Sequence, residues 1–393
     1  MKKIIALFMI LCLLCPMFLC RVSAADFGEE ISAKSAILMD AATGKVLFEY
    51  NADEALPPAS VTKIMTLLLV FEAIDEGKIS FSDMVSVSEH AASMGGTQIY
   101  LEPGENMSVD ELIKSVVVSS ANDAATALAE YVCGSESAFV AKMNERAREL
   151  GMSNTHFENT NGLDDTAENH VTSARDIAVM SRELMKHETI FGYTMIWMDT
   201  VRNGTFGLSN TNRLLRTYSG CTGLKTGSTA KAKFCISATA ERNGLHLIAV
   251  VMGSPTRDER NALAAKLLDF GFANYALYSD PEAVSGTITV RGGVESTLPL
   301  CKKGFDALVE KGSASKIEAV CDIPEYVSAP VKKGDKIGTV TYKSGNTVLG
   351  TADIVAAEDV SKIGFFTIFP KILRWMLLAP ENERIKEELR LFF

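Results

Sequence analysis

The order of apolar and polar positions divides this chain into four stretches of different character. The first is short. Lys2 and Lys3 precede an apolar run from Ile4 to Leu19, which ends at the small residues Val22-Ser23-Ala24 and Ser23-Ala24-Ala25. A positive start, an apolar centre and a small-residue cleavage site describe a secretory signal over residues 1–25, the rival reading being a retained N-terminal anchor. Cys20 follows Leu19, where lipoprotein processing wants a small residue, so lipidation is not expected.

Residues 26–278 mix both periodicities. Ala36-Ile37-Leu38-Met39 and Val46-Leu47-Phe48 flank the turn signal Thr43-Gly44-Lys45 and predict a hairpin over Ser35–Asn51. After Pro57-Pro58, Ile64–Ile74 is apolar on nearly every face, which predicts a helix buried all round, with Gly77 as its C-cap. Further helices are predicted over Glu111–Val118, Asp123–Val132, Ser137–Leu150 and Ser173–Lys186. Phe234–Ala240 and Leu245–Met252 read as strands joined through Asn243-Gly244, a pair that tolerates the positive φ of a type I′ turn. Asn261–Phe270 reads as a closing helix. Strands at both ends of a helical middle predict an α/β (α+β) domain with a helical lobe.

The pattern changes at Ser279-Asp280-Pro281. Short β-rich runs at Gly286–Arg291, Lys316–Cys321, Lys336–Tyr342 and Val348–Ile354 predict a small all-β domain over 279–361. In the last stretch, 362–393, the apolar run Ile363–Leu378 is interrupted by Pro370, Lys371 and Arg374. It is shorter than the roughly 20 residues a spanning helix needs. Lys and Arg set among Phe and Trp predict an amphipathic helix lying in a membrane interface. A helix packed on its own protein is the alternative.

Composition narrows the function. A net charge of −10 without a basic stripe argues against a nucleic-acid partner. Beyond the signal, Cys133, Cys221, Cys235, Cys301 and Cys321 are odd in number and widely spread, unlike a disulfide scaffold. His90, His156, His170, His187 and His246 lack H-E-x-x-H spacing, so neither a metal nor another cofactor is expected.

Three short motifs remain: Ser60-Val61-Thr62-Lys63, Ser120-Ala121-Asn122 and Lys225-Thr226-Gly227. A serine hydroxyl is a weak nucleophile until a base takes its proton. Ser60 and Lys63, three apart on a helix, share one face. Lys63 acts as that base only if burial or a second cation lowers its pKa, and Lys225 is the candidate cation. Ser120 and Asn122, between two helices, suit a proton relay and a grip on a substrate amide. Lys225 and Thr226 offer a charge and a hydroxyl to a carboxylate, and Gly227 leaves room for a substrate backbone along the strand. Each motif alone has a plainer reading: an N-cap with a solvated lysine, a capped helix start, a surface strand. Ser313-Ala314-Ser315-Lys316, Lys343-Ser344-Gly345 and Ser344-Gly345-Asn346 show that such patterns recur by chance. That second set fails because Ser344 would serve two motifs inside what reads as a hairpin turn.

With Ala92–Gly96, Leu101–Glu105, Ser119–Ala125, Asn159–Leu163 and Thr172–Asp176, the triplet resembles the low-molecular-weight penicillin-binding proteins, the serine-type D-alanyl-D-alanine carboxypeptidases. The resemblance implies a β-lactamase/transpeptidase-like catalytic domain followed by a β domain and a membrane-anchoring helix. It implies that Ser60 attacks the carbonyl between the two terminal D-alanines of a peptidoglycan stem peptide, with Lys63 as base and Ser120 and Asn122 as above. Lys225 and Thr226 would face the terminal carboxylate, and the backbone N–H groups of Ser60 and Ser228 would form the oxyanion hole. An arginine near the carboxylate is expected at Arg260, with Arg257 as second choice. β-Lactam antibiotics would acylate Ser60, and the enzyme would work at the outer face of the cytoplasmic membrane. A class A β-lactamase would carry an E-x-x-L-N loop, and none stands between Ser120 and Lys225. An endopeptidase cutting cross-links and a non-catalytic penicillin-binding wall protein remain the competing readings.

Overall fold

The computed structural model describes residues 27–165 and 167–378. The expected signal, 1–25, and the end of the last stretch, 379–393, lie outside the described residues. The N-terminal hairpin forms as β1 (Ser35–Asp40) and β2 (Val46–Tyr50). Two small ribbons, β3 (Met84–Ser86) with β4 (Asn106–Ser108) and β5 (Met198–Val201) with β6 (Phe206–Ser209), decorate the helical part. They are too short for a period-2 pattern to register in sequence. The third motif lies within β7 (Cys221–Thr229), followed by β8 (Lys233–Arg242) and β9 (Leu245–Ser254). These five long strands make one antiparallel sheet in the order β2-β1-β9-β8-β7, with β1 docked on β9 in the register Ile37↔Val250. The order leaves β7 with a free edge.

The longer helices of this part are α1 (Lys63–Asp75), α2 (Val109–Val118), α3 (Asn122–Cys133), α4 (Glu136–Glu149), α5 (Ala174–Met185) and α6 (Arg257–Asn274). α5 packs on β1 and β9, α6 packs on β8 and β9, and α1 touches α3, α4 and α5. That central position is why α1 is apolar all round: Ile64, Met65, Leu67, Leu68, Leu69, Val70 and Phe71 are all buried. Truncating such a residue, Leu68→Ala for example, costs about 2–5 kcal/mol. Side-chain caps set the starts of α2, α4, α5 and α6. Ser108, Ser135, Ser173 and Thr256 each accept the backbone N–H three residues on. The Thr256 cap explains why α6 begins four residues before the apolar pattern, since its first turn is polar and mostly exposed.

The chain then enters a second layer of β structure: β10 (Tyr275–Asp280), β11 (Ala283–Arg291), β12 (Thr297–Lys302), β13 (Phe305–Glu310), β14 (Ile317–Asp322), β15 (Tyr326–Ser328), β16 (Lys336–Ser344) and β17 (Thr347–Ala356). β10 pairs with β13, and the rest form a six-stranded sheet in the order β14-β16-β17-β12-β11-β15. The expected boundary at 278/279 runs through β10. The sheet has its own core of Ile288, Val290, Leu298, Leu300, Val340, Tyr342 and Ile354. The sequence pattern missed β10, β12, β13 and β15. Pro299 breaks the run in β12, and β15 is three residues long. The chance S-x-x-K copy forms an exposed turn before β14, where Ser313 Oγ donates to Glu310 O at 2.6 Å.

α7 (Phe365–Leu378) closes the described chain and contains Pro370. Its phenylalanines face outward: Phe365 is 67 %, Phe366 90 % and Phe369 50 % exposed. Among the described residues no helix is long and apolar enough to cross a membrane.

Candidate active site

The three motifs, far apart in sequence, meet beside the free edge of the five-stranded sheet. After Pro57-Pro58 the chain makes one 3-10 turn, Ala59–Thr62, that runs into α1. Ser60 is half-buried on that turn and Lys63 is the first residue of α1, fully buried. Lys63 Nζ lies 2.9 Å from Ser60 Oγ, 2.6 Å from Asn122 Oδ1 and 2.7 Å from the Asn161 carbonyl oxygen.

Those three partners decide what the amine does. Burial holds the Lys63 pKa well below its ordinary value, with the nearby Lys225 charge as the next cause and Asp123 opposing. A neutral amine keeps two N–H donors and one lone pair. The Asn161 carbonyl only accepts. Asn122 also presents its acceptor, because its Nδ2 donates to Gly95 O at 2.7 Å and so fixes the amide's orientation. Both N–H groups are thereby committed, and the lone pair faces the Ser60 hydroxyl. The packing aims a base at a nucleophile.

Asn122 was expected to hold a substrate amide. In the structure both ends of its side chain are engaged within the protein, on Lys63 and on Gly95. Ser120 does occupy the expected loop between α2 and α3. It takes a left-handed φ of +63°, uncommon for a non-glycine residue, which turns it out of the helical path. Lys225, buried on β7, donates to Ser120 Oγ at 2.8 Å and to the Thr226 carbonyl at 2.8 Å. Burial pushes the Lys225 pKa down to about 7, and the Arg260 guanidinium adds to the shift. Thr226 Oγ1 pairs with Thr211 Oγ1 at 2.7 Å.

Gly227 has a use that the sequence reading did not anticipate. A Cβ there would fall 2.8 Å from Ser60 N, 2.9 Å from Pro58 O and 2.9 Å from Val61 N, all backbone atoms. The missing side chain lets β7 lie directly on the serine turn. Ser228 follows with an exposed side chain. Arg260 is buried on α6, donating to Cys235 O and to Asn261 Oδ1, whereas Arg257 is exposed. Of the two arginines, Arg260 is therefore the one that adds its field to Lys225.

Several contributors were not legible. Asn161 acts through a backbone carbonyl, which every residue type possesses. Its loop is wired from within: Asn159 Oδ1 accepts the N–H groups of Asn161 and Gly162, and Asn161 Oδ1 accepts that of Leu163. Asp123 ties the segment before it to α3 by accepting the N–H groups of Ile99 and Leu101. The sequence Asn-Thr-Asn-Gly-Leu carried the signal, since Asn and Gly side by side mark a structured turn.

A family model described as D-alanyl-D-alanine carboxypeptidase matches residues 21–256, and one described as penicillin-binding protein 5, C-terminal domain, matches residues 272–362. The chain is 44 % identical over 349 residues to the D-alanyl-D-alanine carboxypeptidase DacF of Bacillus subtilis (strain 168), covering 87 % of this chain and 89 % of that one. It is 35 % identical to DacC of Escherichia coli (strain K12), covering 86 % and 87 %. Among solved structures, penicillin binding protein 5 from Haemophilus influenzae superposes with a TM-score of 0.71 at 32 % identity, over 85 % of this chain and 99 % of that one. The ampicillin-bound form of penicillin-binding protein D2 from Listeria monocytogenes gives 0.55 at 32 % identity, over 62 % of this chain and 98 % of that one. With its serine, two lysines and matching domain order, the chain belongs to the serine-type D-alanyl-D-alanine carboxypeptidase family, the low-molecular-weight penicillin-binding proteins.

Proposed function

We propose that this carboxypeptidase works through an acyl-enzyme on Ser60, formed from a peptidoglycan stem peptide ending in D-Ala-D-Ala. The observation that carries the reading is the Lys63 amine, whose two N–H groups are spent on Asn122 and Asn161 so that its lone pair faces Ser60 Oγ at 2.9 Å. Lys63 takes the Ser60 proton as the oxygen bonds to the carbonyl carbon. The oxyanion is held by the backbone N–H groups of Ser60 and Ser228. The proton that Lys63 took passes through Ser120, itself bonded to Lys225, to the leaving nitrogen, the C–N bond breaks and D-alanine departs. Water then hydrolyses the ester. Lys225, Thr226 and Arg260 form the carboxylate site. β-Lactams enter the same path and stop at the acyl-enzyme.

The test is D-alanine release from a pentapeptide ending in D-Ala-D-Ala, with Ser60→Ala as control. Release and covalent penicillin labelling should vanish together in the variant. A folded, penicillin-labelled protein that releases no D-alanine but opens cross-linked dimers is an endopeptidase.

The same reading places the enzyme outside the cytoplasmic membrane, exported by residues 1–25 and held at the surface by α7. The exposed phenylalanines of α7 support it. A chain ending at Ser361 should keep its activity and lose sedimentation with anionic vesicles. Equal sedimentation of both forms removes α7 from the membrane role.

A further inference from the structure

His170 belongs to none of the three motifs, is buried and takes no part in the chemistry above. Its Nδ1 accepts the Glu158 backbone N–H at 2.9 Å. The neutral ring therefore carries its proton on Nε2, which lies 2.8 Å from Thr62 Oγ1 and donates to it. The Thr62 hydroxyl is then free to donate onward, and its proton goes to the Ala59 carbonyl at 2.8 Å. The relay has one direction, from Glu158 N–H through His170 and Thr62 to Ala59 O.

That carbonyl shares a peptide unit with the Ser60 N–H. In a planar trans peptide the two groups point in opposite directions, so fixing one aims the other. Local preference does not fix it. Ala59 sits at φ +50°, in the left-handed region that L-residues avoid. A second brace lies on the same atom, since a Cβ on Gly162 would fall 1.9 Å from Ala59 O.

We propose that His170 is a positioning residue, which acts through Thr62 to lock the Ala59–Ser60 peptide and hold the Ser60 N–H on the developing oxyanion. The inference rests on the reading of Ser60 as nucleophile and of its N–H as an oxyanion donor. The ring's surroundings suit the task. Phe157 packs against it at 5.7 Å, the charged or titratable groups around it are Glu158, Asp164, His156 and Lys231, and burial lowers its pKa to about 4. The ring stays neutral, and the relay keeps its direction, above about pH 4.

The experiment uses the full chain and a fluorescent penicillin, with stopped-flow traces separated into a non-covalent Kd and an acylation rate constant. His170→Phe keeps the ring and its packing but has no donor, whereas His170→Gln keeps an N–H near the place of Nε2. Complete loss of an oxyanion donor costs about 10²–10³-fold, so a loosened one should cost about tenfold or more in the acylation constant of His170→Phe. His170→Gln should stay within about threefold of wild type, by the same reasoning, and Kd should not move in either. Thr62→Val should repeat the loss, Thr62→Ser should not, and the double variant His170→Phe/Thr62→Val should be no slower than the slower single. His170→Phe acylating as fast as His170→Gln overturns the proposal, as does a loss shared by both that follows their melting temperatures. If His170→Phe does not fold, the Thr62 pair decides. Labelling that persists in Ser60→Ala overturns the reading of the nucleophile itself, a result separate from any ranking of the His170 variants.

Discussion

Lys225 Nζ lies 2.8 Å from Ser120 Oγ, a hydrogen bond that joins the second motif to the third across 105 residues of chain. It puts a buried cation next to a hydroxyl at the edge of the sheet, with its pKa lowered to about 7. Two lysines near one substrate then divide the work by protonation state. On the proposed mechanism Lys63 serves as a base when neutral, and Lys225 binds a carboxylate when charged.

The pH dependence follows from that division. In the free enzyme Lys225 loses its proton above about pH 7, so affinity for a carboxylate substrate should fall there. A bound carboxylate favours the charged form and raises that pKa. The alkaline limb should therefore show in kcat/KM and move to higher pH in kcat. The check is a pair of pH profiles on a D-Ala-D-Ala peptide. Coincident alkaline limbs would remove Lys225 from the carboxylate site.

Asn122→Asp exchanges a neutral acceptor for an anion 2.6 Å from Lys63 Nζ. An opposite charge favours the charged amine, so the Lys63 pKa should rise and the acid limb of acylation should move to higher pH. On that limb the rate follows the neutral fraction of the amine, so acylation should fall about tenfold for each pH unit by which the limb moves. Asn122→Ala frees Lys63 without adding charge and should displace the limb less. Penicillin acylation measured from pH 5 to pH 9 separates the two.

Gly227→Ala places a methyl group against three backbone atoms of the serine turn, which have no side-chain freedom with which to yield. Either β7 or the turn must move. A displacement of about 1 Å at a reacting group costs on the order of 10²-fold in rate. Acylation should drop by about that much while most of the stability is kept, because the clash lies at a sheet edge. Gly207→Ala, where the added Cβ meets nothing within 4 Å and the backbone is not left-handed, serves as the control for acylation.

Acid should unfold the protein through its buried histidines. Burial lowers both His170 and His246 to about 4 from 6.5. The unfolded chain binds these protons first, so stability is full above about pH 6.5 and falls as pH drops through that window toward 4. Each histidine contributes on the order of 3 kcal/mol at most. Denaturant midpoints between pH 7 and pH 4 should decline, and His246→Asn should flatten the decline. An unchanged slope would show that His246 titrates normally.

What could be read from the sequence, and what could not, has physical causes. A continuous apolar run after Pro57-Pro58 marked α1, and Asn243-Gly244 marked the β8–β9 hairpin, because burial and turn sterics act locally on those residues. Ser60, Lys63, Ser120 and Lys225 were legible because their chemistry needs one side-chain type at one spacing. The short ribbons β3–β4 and β5–β6 and the strands β10, β12, β13 and β15 carried too few alternating positions to be seen.

By itself, then, the chain determined its local elements, its three motifs and the kind of bond they break. Only the tertiary structure decided that β1 pairs with β9 and leaves β7 at an edge, that Asn122 and the Asn161 carbonyl aim the Lys63 lone pair, and that His170 reaches Ala59 through Thr62. Those relationships are carried by backbone groups and by contacts between distant segments. A carbonyl oxygen is the same in every residue, so what singles one out is the packing that brings it to a partner.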